Sequence, residues 1–246
     1  MHERTVQFGH ERLITKLQSI AELRDADLAA LRTLPINVKS VPANTEIVTE
    51  GDRPTECCLL LEGLVCRSRT TLEGRRQILS FHTPGDIPDL QSLHLHVMDH
   101  TVATLPSCTL GFILHSKLRA VTRDYPNIAA AMWRDTLIDA AIFREWMLGL
   151  GRRSAEQRMA HLLCEMARRL EAVGLQQDGI YELAVTQIDL ADALGLSNVH
   201  VNRVLQKLRT EGLLRLDRST VSILDWEGLS RLGEFEALYL HQNPSV

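Results

Sequence analysis

The chain has 246 residues, 45% hydrophobic, 24% charged and 4% aromatic, with a formal net charge of −4. That length holds two modest domains, and the slightly acidic balance excludes a protein that coats nucleic acid indiscriminately while leaving room for a locally basic reading surface. No apolar run approaches membrane-helix length, and the polar start MHERTVQFGHER lacks the apolar core of a signal peptide, so a cytoplasmic location with no membrane partner is expected.

Residues Leu13 to Leu34 read as two short helical pieces around Ala21-Glu22. From Ile36 to about Ile113 short β-type segments alternate with turns centred on Gly51, Gly63, Gly74 and Gly85, one every 11 or 12 residues. This is the rhythm of a jelly-roll-like double sheet, with Val102, Leu105, Cys108, Leu110, Phe112 and Ile113 supplying its last strands. The five cysteines (Cys57, Cys58, Cys66, Cys108 and Cys164) show no CxxC and no metal-ligand spacing. They read as small buried hydrophobes in a reducing compartment, with a redox-sensing thiol as the alternative. Cys57 and Cys58, adjacent on a strand, should point to opposite faces.

From Ser116 the pattern turns helical, and a long helix is predicted from Asn127 to Leu150 after Pro126. It carries two apolar stripes: Trp133, Leu137, Ala141 and Leu148 on one, Ile138, Ile142 and Trp146 on the other. A surface helix needs only one. Two imply burial on both sides, against its own domain and against a second copy, so a homodimer through Trp133, Leu137, Ile138, Ala141 and Ile142 is expected. Gly149 and Gly151 then read as a hinge, and Ser154 as the cap of a helix from Ala155 to Val173. Asp178-Gly179 leads into a strand from Tyr181 to Val185.

The stretch from Thr186 to Leu214, TQIDLADALGLSNVHVNRVLQKLRTEGLL, carries most of the information. Thr186 with Asp189 three positions on fits a capping box. Ile188, Leu190, Ala191 and Leu194 give a short apolar helix, and Gly195 ends it. Ser197 caps a second helix whose buried stripe is Val201, Val204, Leu205 and Leu208. Asn198, Val199, Asn202 and Arg203 fall on its first exposed turns, followed by Lys207 and Arg209. Arg215 to Leu224 reads as two short strands around a polar turn, the wing of a winged helix. Arg203, Lys207, Arg209, Arg215 and Arg218 outnumber Glu211 and Asp217 here, so double-stranded DNA is the expected partner.

A small β-roll, a long helix, a hinge and a winged helix-turn-helix, together with ILSF and PGD between Ile78 and Asp86, resemble the Crp/Fnr superfamily of bacterial transcription regulators over about Leu13 to Leu240. The resemblance implies an α+β chain. An N-terminal double-stranded β-helix (jelly-roll-like) sensor domain would span residues 13–115, the dimerisation helix 116–150 and the C-terminal winged helix-turn-helix 151–240. It implies a homodimer on a two-fold symmetric promoter site, with RNA polymerase as a partner if it activates. By position Arg203 resembles the family's guanine-reading arginine, which suits a guanidinium fork. Asn198 and Val199 stand where the cyclic-AMP-responsive branch has an arginine and a glutamate. Val199 suits a thymine methyl, and Asn198 an adenine or a phosphate. Thr186, Gln187, Ser197, His200 and Lys207 are candidate phosphate contacts, the first and third also as helix caps.

The family's cyclic-nucleotide cradle is Gly-Glu-Leu at a helix start plus a later arginine. Here the stretch reads Pro88-Asp89-Leu90, no Lys or Arg occurs from Gln77 to Ser116, and Met98 or His100 falls near the arginine position. Proline has no N–H to offer a phosphate, so a degenerate pocket that does not bind cyclic AMP is expected. The first fifty residues hold no cysteine, which argues against the family's iron–sulfur branch. His82, His94, His96 and His100 leave a haem or metal ligand as an alternative to a solvated loop; no metal site is expected. The effector is left unassigned. A scaffold whose winged helix meets protein is the competing class, and no nucleophile–base spacing or nucleotide loop supports an enzyme.

Overall fold

The structure is a computed structural model that describes residues 2–242, with side chains from residue 7 onward. Two compact units form, one from residues up to Arg69 together with Ser80–Asp139, the other from Thr70–Leu79 together with Ala140–His241.

The first unit opens with helices α1 (His2–Gln18) and α2 (Asp25–Arg32). Seven strands follow: β1 (Asn37–Val41), β2 (Glu46–Val48), β3 (Glu56–Glu62), β4 (Val65–Thr70), β5 (Arg76–His82), β6 (Thr101–Thr104) and β7 (Cys108–Leu114). They make two sheets, ordered β1-β7-β3 and β2-β6-β4-β5. The spaced glycines do what the rhythm predicts: Gly51, Gly63, Gly74 and Gly85 all have positive φ, a backbone that a Cβ disfavours. Leu105, expected in a strand, lies just beyond β6.

Strand β3 shows why the sheet needs covering on both faces. Cys57 to Leu61 are all 0% exposed. Alternation sends Cys57, Leu59 and Leu61 into a core shared with Leu13, Ile14, Leu17, Leu31, Leu118 and Ile128 of the helices. It sends Cys58 and Leu60 into a second core with Val48, Val65, Met98, Val102 and Leu110, between the two sheets. Helices α3 (His115–Asp124) and α4 (Pro126–Arg152) complete this part of the chain.

The expected hinge at Gly149 and Gly151 is corrected. Both glycines lie inside α4 and neither has a positive φ. A helical glycine costs only about 1 kcal/mol, which is too little to end a helix whose flanking turns pack well. The stop comes at Ser154 instead. Its Oγ accepts the Gln157 N–H at 3.2 Å, and the Gln157 Oε1 accepts the Ser154 N–H at 2.8 Å. That reciprocal pair fixes the start of α5 (Ala155–Glu171).

Helix α5 is the spine of the second unit, with Met159, Leu162, Leu163, Met166 and Leu170 buried. Around it stand β8 (Gln176–Gln177), β9 (Ile180–Glu182), α6 (Gln187–Leu194), α7 (Asn198–Thr210), β10 (Leu214–Asp217), β11 (Thr220–Ile223) and α8 (Trp226–Gly233). The small sheet runs β10-β11-β9-β8.

Candidate nucleic-acid interface and the polar cluster of the β-roll

Helix α6 begins as the sequence dictates. The Thr186 Oγ1 accepts the Asp189 N–H at 3.1 Å while the Asp189 carboxylate accepts the Thr186 N–H at 2.9 Å. It ends at Gly195, at φ 62 and ψ 43, the left-handed turn that lets α7 leave in a new direction. The Ser197 Oγ then accepts the His200 N–H at 3.3 Å. Val201, Val204, Leu205 and Leu208 are buried as the periodicity requires. Ile188, read as part of the apolar stripe of α6, is instead 56% exposed. The buried face of that helix is Asp189, Leu190, Ala191, Ala193 and Leu194, with the Asp189 carboxylate held by the Thr186 cap and by Arg76.

With the stripe of α7 turned inward, its polar side faces out. Gln187, Asn198, Val199, Asn202, Arg203 and Gln206 line one open groove. Five of these were expected at a DNA surface, and the fold brings them together. Gln206 was missed. It follows Asn202 by four residues and Arg203 by three, so helical spacing alone places it on the same face. The amide of Asn202 donates to the Gln187 Oε1 at 3.4 Å, joining the two helices across the groove. His200 is exposed beside it. Lys207 is exposed and also pairs within the protein: its ammonium lies 2.6 Å from the Glu156 carboxylate and 3.8 Å from that of Glu211. At the wing tip between β10 and β11, Arg218 takes a left-handed φ of 53, and both it and Arg215 are exposed.

Along α4, Ile138, Ala141 and Ile142 are buried at 4–6% exposure, whereas Trp133 is 69% exposed and Leu137 57%. Met147 and Leu148 are exposed as well. At 3.6 residues per turn Ile138 and Ile142 point away from Trp133, Leu137 and Met147, with Ala141 at the border between the two sets. Ala141, read with the Trp133 stripe, sits with the buried set.

The β-roll residues Pro88, Asp89 and Leu90 stand at the start of a short 3₁₀ turn, Leu90–Leu93. Asp89 is 1% exposed and its carboxylate accepts the Cys58 N–H at 2.8 Å. Burial raises its pKa to about 7. Met98 is a core residue between the sheets. His100 is hydrogen-bonded to Gln91 at 3.0 Å and to Asp99 at 2.7 Å. His82 pairs with the Ser80 hydroxyl at 2.9 Å, and burial lowers its pKa to about 4, with the Arg67 charge adding to the shift. His94 and His96 face outward. Among the described residues no three His, Cys, Asp or Glu side chains gather to hold a metal ion.

The cation that no residue between Gln77 and Ser116 supplies arrives from β4. Arg67 donates through Nε to the Pro88 carbonyl at 2.6 Å, forms an ion pair with Asp139 of α4, and reaches the Gln91 Oε1 at 3.4 Å. No local motif announces this, since Arg67 is 21 residues from Pro88 and 72 from Asp139.

Comparison with known proteins agrees with this geometry. Residues 38–125 match the cyclic nucleotide-binding domain and residues 157–232 the Crp-like helix-turn-helix domain. The chain is 27% identical to the transcriptional activator protein FnrL of Cereibacter sphaeroides, over 73% of each chain. It is 28% identical to the nitrogen fixation regulation protein FixK of Azorhizobium caulinodans, over 77% of this chain and 76% of that one. The structure of FixK2 from Bradyrhizobium japonicum superposes with a TM-score of 0.74 at 26% identity, covering 81% of this chain and 98% of that one. No helix among the described residues is long and apolar enough to cross a membrane. The two matched domains in this order, with the polar face of α7 turned outward, make the chain a member of the Crp/Fnr superfamily, a DNA-binding transcription regulator.

Proposed function

We propose that the chain acts as a homodimer on a palindromic promoter site, with α7 of each subunit in a major groove and no cyclic nucleotide required. Residues 13–115 form the sensor-like domain, 116–150 the dimerisation segment and 151–240 the DNA-binding domain. It works in the cytoplasm, where promoters are, and performs no chemistry on its ligands. The observation that carries the DNA assignment is the groove that unites Gln187, Asn198, Val199, Asn202 and Arg203. Arg203 reads guanine through O6 and N7. Thr186, Gln187, Ser197 and His200 approach phosphates beside the unpaired N–H groups of the two helix starts. The dimer is supported by the exposure of the large apolar side chains Trp133 and Leu137, 69% and 57% exposed on one face of α4.

The pocket reading rests on Arg67. In the cradle a phosphate would need, the guanidinium is already neutralised by Asp139 and bound to the Pro88 carbonyl, and Asp89 turns away to the Cys58 N–H. A nucleotide would have to break these bonds before gaining its own. If the protein activates transcription, RNA polymerase is its partner.

Sedimentation equilibrium and anisotropy titration on promoter duplexes test the proposal together. The expected result is a dimer binding selectively without cyclic AMP or cyclic GMP, and Arg203→Ala stays dimeric but loses discrimination. A monomer, or a protein that binds other proteins but no duplex, overturns it. Micromolar binding of either nucleotide by calorimetry overturns the pocket reading alone.

A further inference from the structure

We infer that the groove between the 3₁₀ turn Leu90–Leu93, α3 and α4 is a binding site for an organic carboxylate with an apolar body, its head held by Arg119. The inference goes beyond the regulator reading and its test needs no DNA.

The groove holds about 670 Å³, the size of a small-molecule site. Leu90, Leu93, Ala129, Met132 and Trp133 give it apolar walls. Most of its polar side chains are committed elsewhere. Gln91 bonds Arg67 and His100. The hydroxyls of Thr122 and Thr136 donate to carbonyls of their own helices, Leu118 at 2.9 Å and Trp133 at 2.7 Å. Arg123 donates to both carboxylate oxygens of Asp124, at 2.7 and 3.0 Å. Arg119 is different. Its Nη2 donates to the Leu93 carbonyl at 2.8 Å, which fixes the guanidinium at the groove. It has no carboxylate partner among the described residues, and no Asp or Glu lines the groove.

The chemistry of the occupant follows. A guanidinium carries its N–H donors in a rigid planar fork, and only one of them is given to Leu93. The fork matches a carboxylate through two parallel charge-assisted bonds. One unpaired cation balances a singly charged head. A phosphate dianion would call for a second, and Arg123 is already spent on Asp124. The remainder of the molecule must be apolar, because every carbon laid against Leu90, Leu93, Met132 and Trp133 leaves water. A planar ring suits Trp133 best, since its indole is 69% exposed and can take an offset stack.

The test titrates the full-length protein with 4-phenylbutyrate and with 4-phenylbutan-1-ol, which has the same skeleton without the charge, reading tryptophan emission and ligand-observed NMR. We expect the acid to bind once per chain, in the millimolar range or tighter, and at least about tenfold more tightly than the alcohol. Trp133→Phe should still bind by NMR but lose the emission change. Arg119→Gln should erase the preference for the acid, Arg119→Lys should keep it, and Arg123→Gln should leave it unchanged. Equal binding of acid and alcohol by the parent, a preference that survives Arg119→Gln, or several molecules bound per chain overturns the inference. Sedimentation equilibrium run beside each titration reads the dimer separately, so the loss of this site leaves the regulator reading intact.

Discussion

The carboxylate of Asp89 accepts the backbone N–H of Cys58 at 2.8 Å, while its second oxygen is buried without a hydrogen-bond partner. A carboxyl so placed is easier to hold neutral than charged, and burial lifts its pKa from 3.8 to about 7. A folded-state pKa above the unfolded one means the native protein binds the proton more tightly between these two values. Stability from this group is therefore greatest below pH 4 and is lost as pH rises toward 7. Asp89→Asn keeps the acceptor and abolishes the titration. Relative to the parent, the variant should gain stability as pH climbs, by up to about 4 kcal/mol above pH 7 at 1.36 kcal/mol per unit. Urea melts at pH 4.5, 6 and 8 measure the difference, and a constant difference across the three overturns the assignment.

Arg67 and Asp139 form the second test. The guanidinium is 15% exposed and the carboxylate 32%. Arg67→Ala removes the ion pair with Asp139 and the bond to the buried Pro88 carbonyl, and leaving a buried acceptor unmet costs about 1–3 kcal/mol. Exchange of both for apolar groups, Arg67→Met with Asp139→Leu, removes the charges together and should cost less than the sum of the two single changes. Denaturant midpoints of the single and double variants decide the matter. A loss equal to that sum would show that the pair contributes packing alone.

All five cysteines are buried and none is in a disulfide. Burial raises the thiol pKa of Cys57 and Cys58, and of Cys164 to about 12. The thiolate is the reactive form, so a disulfide reagent such as DTNB at pH 7.5 should label the native protein only on the timescale of unfolding, and all five thiols once it is denatured. One thiol reacting within seconds would restore a redox-sensing role.

How much of this was legible beforehand follows from how local the signal is. Thr186, Asp189, Gly195 and Ser197 are caps and turns whose chemistry closes within three or four residues, and the helix-turn-helix could be read directly. The positive-φ glycines at 51, 63, 74 and 85 announced the β-roll for the same reason. The hinge at Gly149 was misread because a glycine marks permission to bend, and the neighbouring cap at Ser154 was the stronger signal. Arg67 was invisible because its partners are brought to it by strand pairing and a distant helix. The ion pair of Lys207 with Glu156 is not legible locally, because Glu156 is 51 residues earlier.

That last pairing makes the final prediction. A lysine free to meet a phosphate would release a counterion on binding, and its removal would lower the slope of log K against log salt by about 0.9. Lys207 already faces Glu156 and Glu211. Lys207→Ala should therefore leave the slope unchanged and barely move stability, as loss of an exposed pair does. Glu156→Gln frees the ammonium, so it should steepen the slope. Binding isotherms from 50 to 200 mM salt for the parent and both variants separate the cases. A slope reduced by about one unit in Lys207→Ala would return the lysine to the DNA backbone.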